Sequence, residues 1–145
     1  MIVIGLGNEF RHDDAVGLIA VRRLRKNGLA AEEHEGDLAT LMDCWTAAED
    51  VILIDAVSSG AEPGTIHLLD ISVAPLDREH VTSSTHALGL ADAVELSRAL
   101  GTLPPHVYVF GIEVRNVRAG VGLSPEVEQA LPVLINEVVA CTKRT

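Results

Sequence analysis

Hydrophobic residues along the chain form short continuous runs that are separated by longer stretches with helical periodicity. The four clearest runs cover residues 2–4, 51–54, 66–69 and 107–110. The first, second and fourth are continuous rather than alternating, which is typical of strands covered on both faces in a mainly parallel sheet. A weaker run near residues 30–34 predicts one further strand.

The stretches between these runs have helical signals at both ends. Segment 15–26 follows two acidic residues, ends with four basic residues and is followed by Gly28, which matches the helix dipole and a glycine stop. Segments 38–48 and 85–100 predict two more helices, the second of them ended by Gly101. The last helix begins at Ser124-Pro125, a cap followed by proline at the first helical position.

The predicted order of elements is β-α-β-α-β-β-α-β-α. This order predicts an α/β fold, a three-layer α/β/α sandwich with a twisted, mostly parallel sheet of about five strands. Because no repeat or linker interrupts the pattern, residues 1–145 are expected to form a single domain. Two polar segments, 58–64 and 70–84, are predicted as loops, and the second is long enough to have a functional role.

Composition narrows the possible partners and the compartment. The formal net charge is −10 and no basic stripe is present, so we expect neither nucleic acid nor anionic lipid as a ligand. No apolar run approaches the ~20 residues of a membrane span, and the N-terminus lacks the features of a signal peptide. Cys44 and Cys141 lie far apart, which favours reduced thiols in a cytoplasmic protein. Without an exposed apolar heptad, we expect a monomer.

The first strand runs into a glycine-rich turn that resembles the start of a nucleotide site. The sequence Gly-Leu-Gly-Asn at 5–8 fits, but Phe10 stands where the dinucleotide fingerprint requires a third glycine. Asp13 and Asp14 would also repel a phosphate from the following helix. We therefore reject a nucleotide at this turn. One acid is expected to cap the helix, and the other to point into the space above the strand ends, where open α/β sheets bind ligands.

Two more polar residues are predicted to reach the same space. Asp55 directly follows the apolar run 51–54, where a carboxylate is costly unless it is paired, coordinated or used to cap the next loop. His86 falls in the first turn of a predicted helix, whose dipole disfavours imidazolium, although a surface or capping histidine is the simpler interpretation. Together with Asp14 they predict an open site of nitrogen and oxygen ligands for a divalent transition metal.

These residues, in this order, resemble those of the nickel–iron hydrogenase maturation endopeptidases over nearly the whole chain. The matching stretches are Gly-Leu-Gly-Asn at 5–8, Asp13-Asp14 with Gly17, Ile54-Asp55-Ala56 and Ser84-Thr85-His86. The resemblance implies an enzyme that removes a short C-terminal peptide from the precursor of the hydrogenase large subunit after nickel insertion. It also implies that Asp14, Asp55 and His86 bind metal. The segment 35–38 departs from the family pattern, and Glu113 matches it without a clear role.

No nucleophile is supported by the sequence, so water is the expected attacking species. Cys44 is expected to pack in the core, and the serines lack a G-x-S-x-G elbow. We expect nickel to arrive with the precursor, and either the metal or a catalytic aspartate, Asp14 or Asp55, to activate water. Glu9, Phe10 and Arg11 could line the substrate entry or form a solvated loop.

Alternative interpretations remain open at this point. The chain could be a non-catalytic nickel-recognition chaperone, or a small-molecule metal-dependent hydrolase built on the same sheet. Among the remaining histidines, His12 could assist the acids and His67 is expected to pack in a strand. Three others are expected on the surface or in loops, namely His34, His80 and His106.

Overall fold

The predicted elements are present in the computed structural model, which describes residues 1–35, 37–73 and 84–144, apart from the side chains at 38 and 84–89. The strands are β1 (Ile2–Leu6), β2 (Ala31–His34), β3 (Asp50–Val57), β4 (Ile66–Asp70) and β5 (His106–Glu113). The helices are α1 (Val16–Lys26), α2 (Leu38–Trp45), α3 (Ser84–Leu100) and α4 (Pro125–Arg144), with a 3-10 helix at His12–Ala15. Within the described residues, none of these helices could cross a membrane.

The five strands form one sheet in the order β2-β1-β3-β5-β4. β1 pairs in parallel with β2 and β3, and β3 pairs in parallel with β5, while β4 is antiparallel to β5. The predicted mostly parallel sheet is therefore confirmed, and the weak run near residues 30–34 is its edge strand β2. The carboxyl ends of β1, β3 and β5 meet at one edge of the sheet.

Both faces of the sheet are covered by helices, as the continuous apolar runs predict. Along β3, Val51 and Leu53 belong to a core shared with α2 and α3, whereas Ile52 and Ile54 belong to a core shared with α1 and α4. Because side chains alternate along a strand, Asp55 points to the same face as Val51 and Leu53, the face covered by α2 and α3.

The glycine-rich turn allows α1 to lie unusually close to the sheet. A Cβ atom on Gly17 would collide with the backbone carbonyl oxygens of Leu6 and Ile54, and one on Gly5 would collide with the carbonyl oxygen of Gly17. Gly7 has a φ of 153° and its α-carbon faces the carbonyl oxygen of Asp14. The glycines therefore serve the packing of strand, turn and helix, and this packing places the acidic residues at the sheet edge.

We expect Gly17→Ala to destabilise the chain by about 3 kcal/mol, because backbone atoms of two strands would have to move. The control is Gly60→Ala, where an added Cβ meets nothing within 4 Å and only the φ of 89° is unfavourable, at about 1 kcal/mol. Urea unfolding of both variants gives the two values. Equal losses would show that close packing of α1 is not the reason for glycine at position 17.

Candidate active site at the carboxyl ends of β1 and β3

Two acidic side chains from different elements share the buried edge of the sheet. Asp14 lies in the 3-10 helix that follows β1, and Asp55 lies in β3, two residues before the strand ends at Val57. Both are completely buried. Asp14 is close enough that its charge contributes to the titration of Asp55. The structure thus brings these two predicted site residues together.

The environment of Asp55 favours its protonated form. Burial, with a smaller contribution from the negative charge of Asp14, raises the pKa of Asp55 to about 8, although the hydrogen bond from the Ala56 amide to Oδ1, at 2.8 Å, opposes both effects. Its other oxygen, Oδ2, accepts no hydrogen bond from the described residues. A buried carboxylate oxygen that accepts no hydrogen bond lowers the stability of the fold. Such oxygens are typical of functional sites, where a cation, a proton or a substrate supplies the missing contact.

The third predicted ligand cannot be placed with the other two. Position 86 belongs to the first turn of α3, as expected, but the side chain of His86 lies outside the described residues. Among the side chains that are described, no group of three or more histidines, cysteines, aspartates and glutamates could hold a metal ion. The described part of the site therefore supplies two carboxylates, Asp14 and Asp55, which fit the oxygen donors that a divalent cation accepts.

Asp13 has a different role from its neighbour. It is completely buried and accepts hydrogen bonds from the amides of Arg115 (2.9 Å), Asn116 (3.0 Å) and Ser124 (2.6 Å), and from the Ser124 hydroxyl (2.7 Å). Burial raises its pKa, but these hydrogen bonds outweigh burial, so the pKa of Asp13 is lowered overall. The expectation that one acid caps the helix is wrong, because neither the 3-10 helix nor α1 has a side-chain cap.

A second polar cluster lies beside the acid pair, on the same face of the sheet. Glu113, at the end of β5, is buried and accepts hydrogen bonds from the amide and hydroxyl of Ser59, at 2.8 and 2.5 Å. His67 Nε2 lies 3.2 Å from the same carboxylate. Asp55, Gly111 and His67 pair across three neighbouring strands, so the two clusters are adjacent.

The sequence alone did not assign a role to Glu113, although a signal was available. Glu113 directly follows an apolar run in β5, which is the signal that singled out Asp55 in β3. Its partner His67 is partly buried in a strand, close to what was predicted, but it contacts a carboxylate rather than packing among apolar side chains only.

Two other described histidines, His12 and His34, contact backbone carbonyl groups. The ring of His12 has its Nδ1 3.0 Å from the carbonyl oxygen of Gly122, and the idea that it assists the acids stays a prediction. The surface prediction is wrong for His34, which is buried with Nε2 3.2 Å from the Asp37 carbonyl oxygen. His106 is exposed as predicted, and His80 lies outside the described residues.

The thiols do not provide a nucleophile. Cys44, in α2, packs against the core, as predicted. Burial raises the pKa of its thiol, and the negative charges of Glu32 and Asp43 act in the same direction. Its sulfur is 4.0 Å from His34 Nδ1, a weak contact. Burial also raises the pKa of Cys141. A raised thiol pKa leaves little thiolate near neutral pH, which is consistent with attack by water.

The fold and the position of the acid pair define an α/β enzyme, because open sheets of this kind place their active sites at the carboxyl ends of the strands. Comparison with known families narrows this class. Residues 36–141, well over half of the chain, match the hydrogenase maturation protease family, and the chain belongs to that family. The matched segment includes Asp55 and position 86 but begins after Asp14.

Individual relatives extend the similarity to the whole chain. The hydrogenase 2 maturation protease of Escherichia coli K12 is 28% identical over 159 residues, covering 100% of this chain and 92% of that protein. The structure of the hydrogenase maturating endopeptidase HybD of E. coli superposes with a TM-score of 0.82 at 25% identity, over 99% and 91% of the two chains. The hydrogenase 2 maturation peptidase of a Thaumarchaeota archaeon gives a TM-score of 0.73 at 27% identity, over 97% and 96%. The chain is therefore a protease of hydrogenase maturation, and the resemblance inferred from its motifs is confirmed.

Asp13→Asn is expected to lower the free energy of unfolding by about 3 kcal/mol at pH 7, because several hydrogen bonds to a buried carboxylate are weakened. The folded pKa of Asp13 is lowered, so its stabilisation is present above the unfolded value of 3.8 and is lost as the pH falls through the folded pKa. Urea unfolding at pH 7 and below pH 3 tests this, with the exposed Asp43→Asn as control. A difference that persists in full at the lower pH would contradict the assignment.

Asp55→Asn is expected to stabilise the metal-free chain by roughly 1–3 kcal/mol at pH 8. The folded pKa of about 8 exceeds the unfolded value of 3.8, so the stability of the wild type falls as the pH rises between these values. Asparagine does not titrate, and the advantage of the variant should therefore grow from pH 5 to pH 8. Thermal unfolding at the two pH values measures it. A variant that is less stable than the wild type at pH 8 would show that burial of the Asp55 carboxyl group does not destabilise the fold.

Proposed function

We propose that this protease removes a short C-terminal peptide from the nickel-loaded precursor of a nickel–iron hydrogenase large subunit. Membership of the hydrogenase maturation protease family supports the substrate class. The observation that carries the proposal is the completely buried pair Asp14 and Asp55, with the pKa of Asp55 raised to about 8. A structural role does not explain why two acids are buried together at the edge of the sheet. A buried acid pair with a shifted pKa is typical of an active site. We further expect the protein to act as a monomer in the cytoplasm.

Nickel reaches the site as part of the substrate. Asp14 and Asp55 offer carboxylate oxygens, and a neutral His86 at the first turn of α3 would add a nitrogen. Three protein ligands leave positions that the precursor fills with its own groups. Recognition would then require the loaded precursor, because an empty one has no cation to satisfy the buried carboxylates.

The chemistry of the cut follows from the same residues. The cation of the precursor, held by Asp14 and Asp55, would supply Lewis acidity toward the scissile carbonyl group. A carboxylate of the pair accepts a proton from the attacking water as the new C–O bond forms, and returns it to the leaving amide nitrogen as the C–N bond breaks. The raised pKa of Asp55 lies close to neutral pH, where this residue can both accept and donate a proton.

Asp14→Asn and Asp55→Asn are each expected to reduce cleavage of the nickel-loaded precursor by about 10³-fold. Asp43→Asn, an exposed acid-to-amide change on α2, should cleave at the wild-type rate. Mass measurement of both products, with nickel-loaded and nickel-free precursor in parallel, is the readout. The nickel-free precursor should remain intact with every variant.

Binding measured beside cleavage separates the roles of the two acids. A variant that binds the loaded precursor normally but does not cut it has lost a chemical group, whereas one that no longer binds has lost a ligand. If both variants cut normally, the proposed site is wrong. If the wild type binds the loaded precursor and leaves its length unchanged, the chain acts as a nickel-recognition chaperone.

A further inference from the structure

Two loops beside the acid pair are joined into one unit, which we call the loop pair and which comprises residues 8–12 and 114–123. The Gly120 amide donates a hydrogen bond to the Phe10 carbonyl at 2.8 Å, and the His12 amide donates one to the Gly120 carbonyl at 3.0 Å. Arg11 Nε donates to the Val117 carbonyl at 3.1 Å. These bonds connect segments more than 100 residues apart in sequence, so the loop pair is a product of tertiary folding.

The loop pair is fixed by strained and buried contacts. His12 has a φ of 45°, a left-handed conformation that residues other than glycine adopt only when their surroundings impose it. Its ring occupies the space beside Gly120, where a Cβ atom would collide with the imidazole, and Gly120 itself has a φ of 147°. The buried carboxylate of Asp13 accepts hydrogen bonds from the amides of Arg115 and Asn116. The loop pair is therefore ordered before any partner arrives.

This rigid surface presents apolar side chains to solvent. Phe10 is 67% exposed and Val121 is 73% exposed, on the two loops joined by the Arg11–Gly120 bridge. The chain has two phenylalanines, and the other, Phe110, is buried in the core. Aromatic residues held exposed on a preorganised surface are enriched at the centres of protein–protein interfaces, where they act as anchors.

The charge of the loop pair is opposite to that of the chain. Segment 114–123 contains Arg115 and Arg118 and no acidic residue, whereas the chain has a net charge of −10. Arg115 is paired with Glu126 at 2.9 Å, while Arg118 is exposed and forms no ion pair with the residues that the structure describes. A partner that complements the loop pair would present an apolar patch bordered by acidic residues.

The loop pair is also continuous with the candidate active site. The Asp14 amide donates a hydrogen bond to the Arg11 carbonyl at 3.1 Å, and the Asn8 amide donates one to the Asp14 carbonyl at 3.3 Å. A protein bound to Phe10 and Val121 therefore borders the 3-10 helix that carries Asp14. This position suits a folded substrate whose tail must enter the site.

We propose that the loop pair is the docking surface for the folded body of the precursor, with Phe10 and Val121 as its anchors and Arg118 at its rim. This inference rests on the proposed function and names a binding region beyond its reacting groups. The partner surface is apolar with an acidic border. Because the anchors lie outside the reacting groups, they contribute to substrate binding and to KM, and not to kcat.

The test compares Phe10→Ala/Val121→Ala with Val133→Ala/Leu100→Ala, a control pair that is 51% and 62% exposed on α4 and α3. With nickel-loaded precursor as substrate, the first double variant should raise KM about tenfold or more with kcat unchanged. The control should match the wild type. Arg118→Glu should raise KM severalfold at low salt and less at high salt. Thermal midpoints of all variants should stay close to that of the wild type, because the substituted side chains are exposed.

Several results would overturn the docking surface. An unchanged KM in the Phe10→Ala/Val121→Ala variant is one. A second is sedimentation showing a wild-type dimer that this variant converts to monomer while precursor affinity is unaltered, since the loop pair would then join two copies of the chain. If the wild type binds the precursor without cutting it, the proposed function fails. Binding of the precursor to wild type and variant, measured by surface plasmon resonance, still decides the docking surface in that case.

Discussion

The hydrogen bonds accepted by Asp13 connect most of the features that matter in this protein. One buried carboxylate joins the 3-10 helix after β1 to the loop after β5 and to the start of α4. Asp14 is the next residue, so its position against Asp55 depends on the same anchoring. The loop pair rests on these bonds as well, because the amides of Arg115 and Asn116 belong to it. Loss of the Asp13 carboxylate would therefore disturb the acid pair and the exposed surface together.

Two aspartates in this region show how the environment gives residues of one type different pKa values. Asp13 is buried but surrounded by donors, and its pKa is lowered. Asp55 is equally buried, accepts a hydrogen bond from the Ala56 amide and experiences the charge of Asp14, and its pKa is raised to about 8. Hydrogen bonds to the ionised form determine the direction of the pKa shift of Asp13, whereas desolvation and a nearby like charge determine that of Asp55. The first arrangement stabilises the fold, whereas the second lowers its stability.

The sequence predicted the elements that depend on local patterns. Buried parallel strands require continuous apolar runs, so β1, β3 and β5 were found, and the convergence of Asp14 with Asp55 follows from the meeting of parallel strand ends. The role of Asp13 was not predicted, because its four donors lie more than 100 residues away and three of them are backbone amides that almost any residue type could supply. The burial of His34 was missed for a related reason, since the local sequence around it is polar and burial is imposed by the rest of the fold.

The glycine-rich turn explains why a nucleotide-like motif leads to an acidic site. Gly5 and Gly17 let α1 approach the strands, and this packing is independent of what the turn binds. The positive end of the helix then points at the sheet edge, where it can stabilise an anion from outside or acidic side chains of the chain itself. Phe10 stands in place of a third glycine, and the buried Asp14 lies in the 3-10 helix between the turn and α1. A backbone arrangement that resembles a phosphate site is therefore combined with buried acidic side chains, which disfavour an anion.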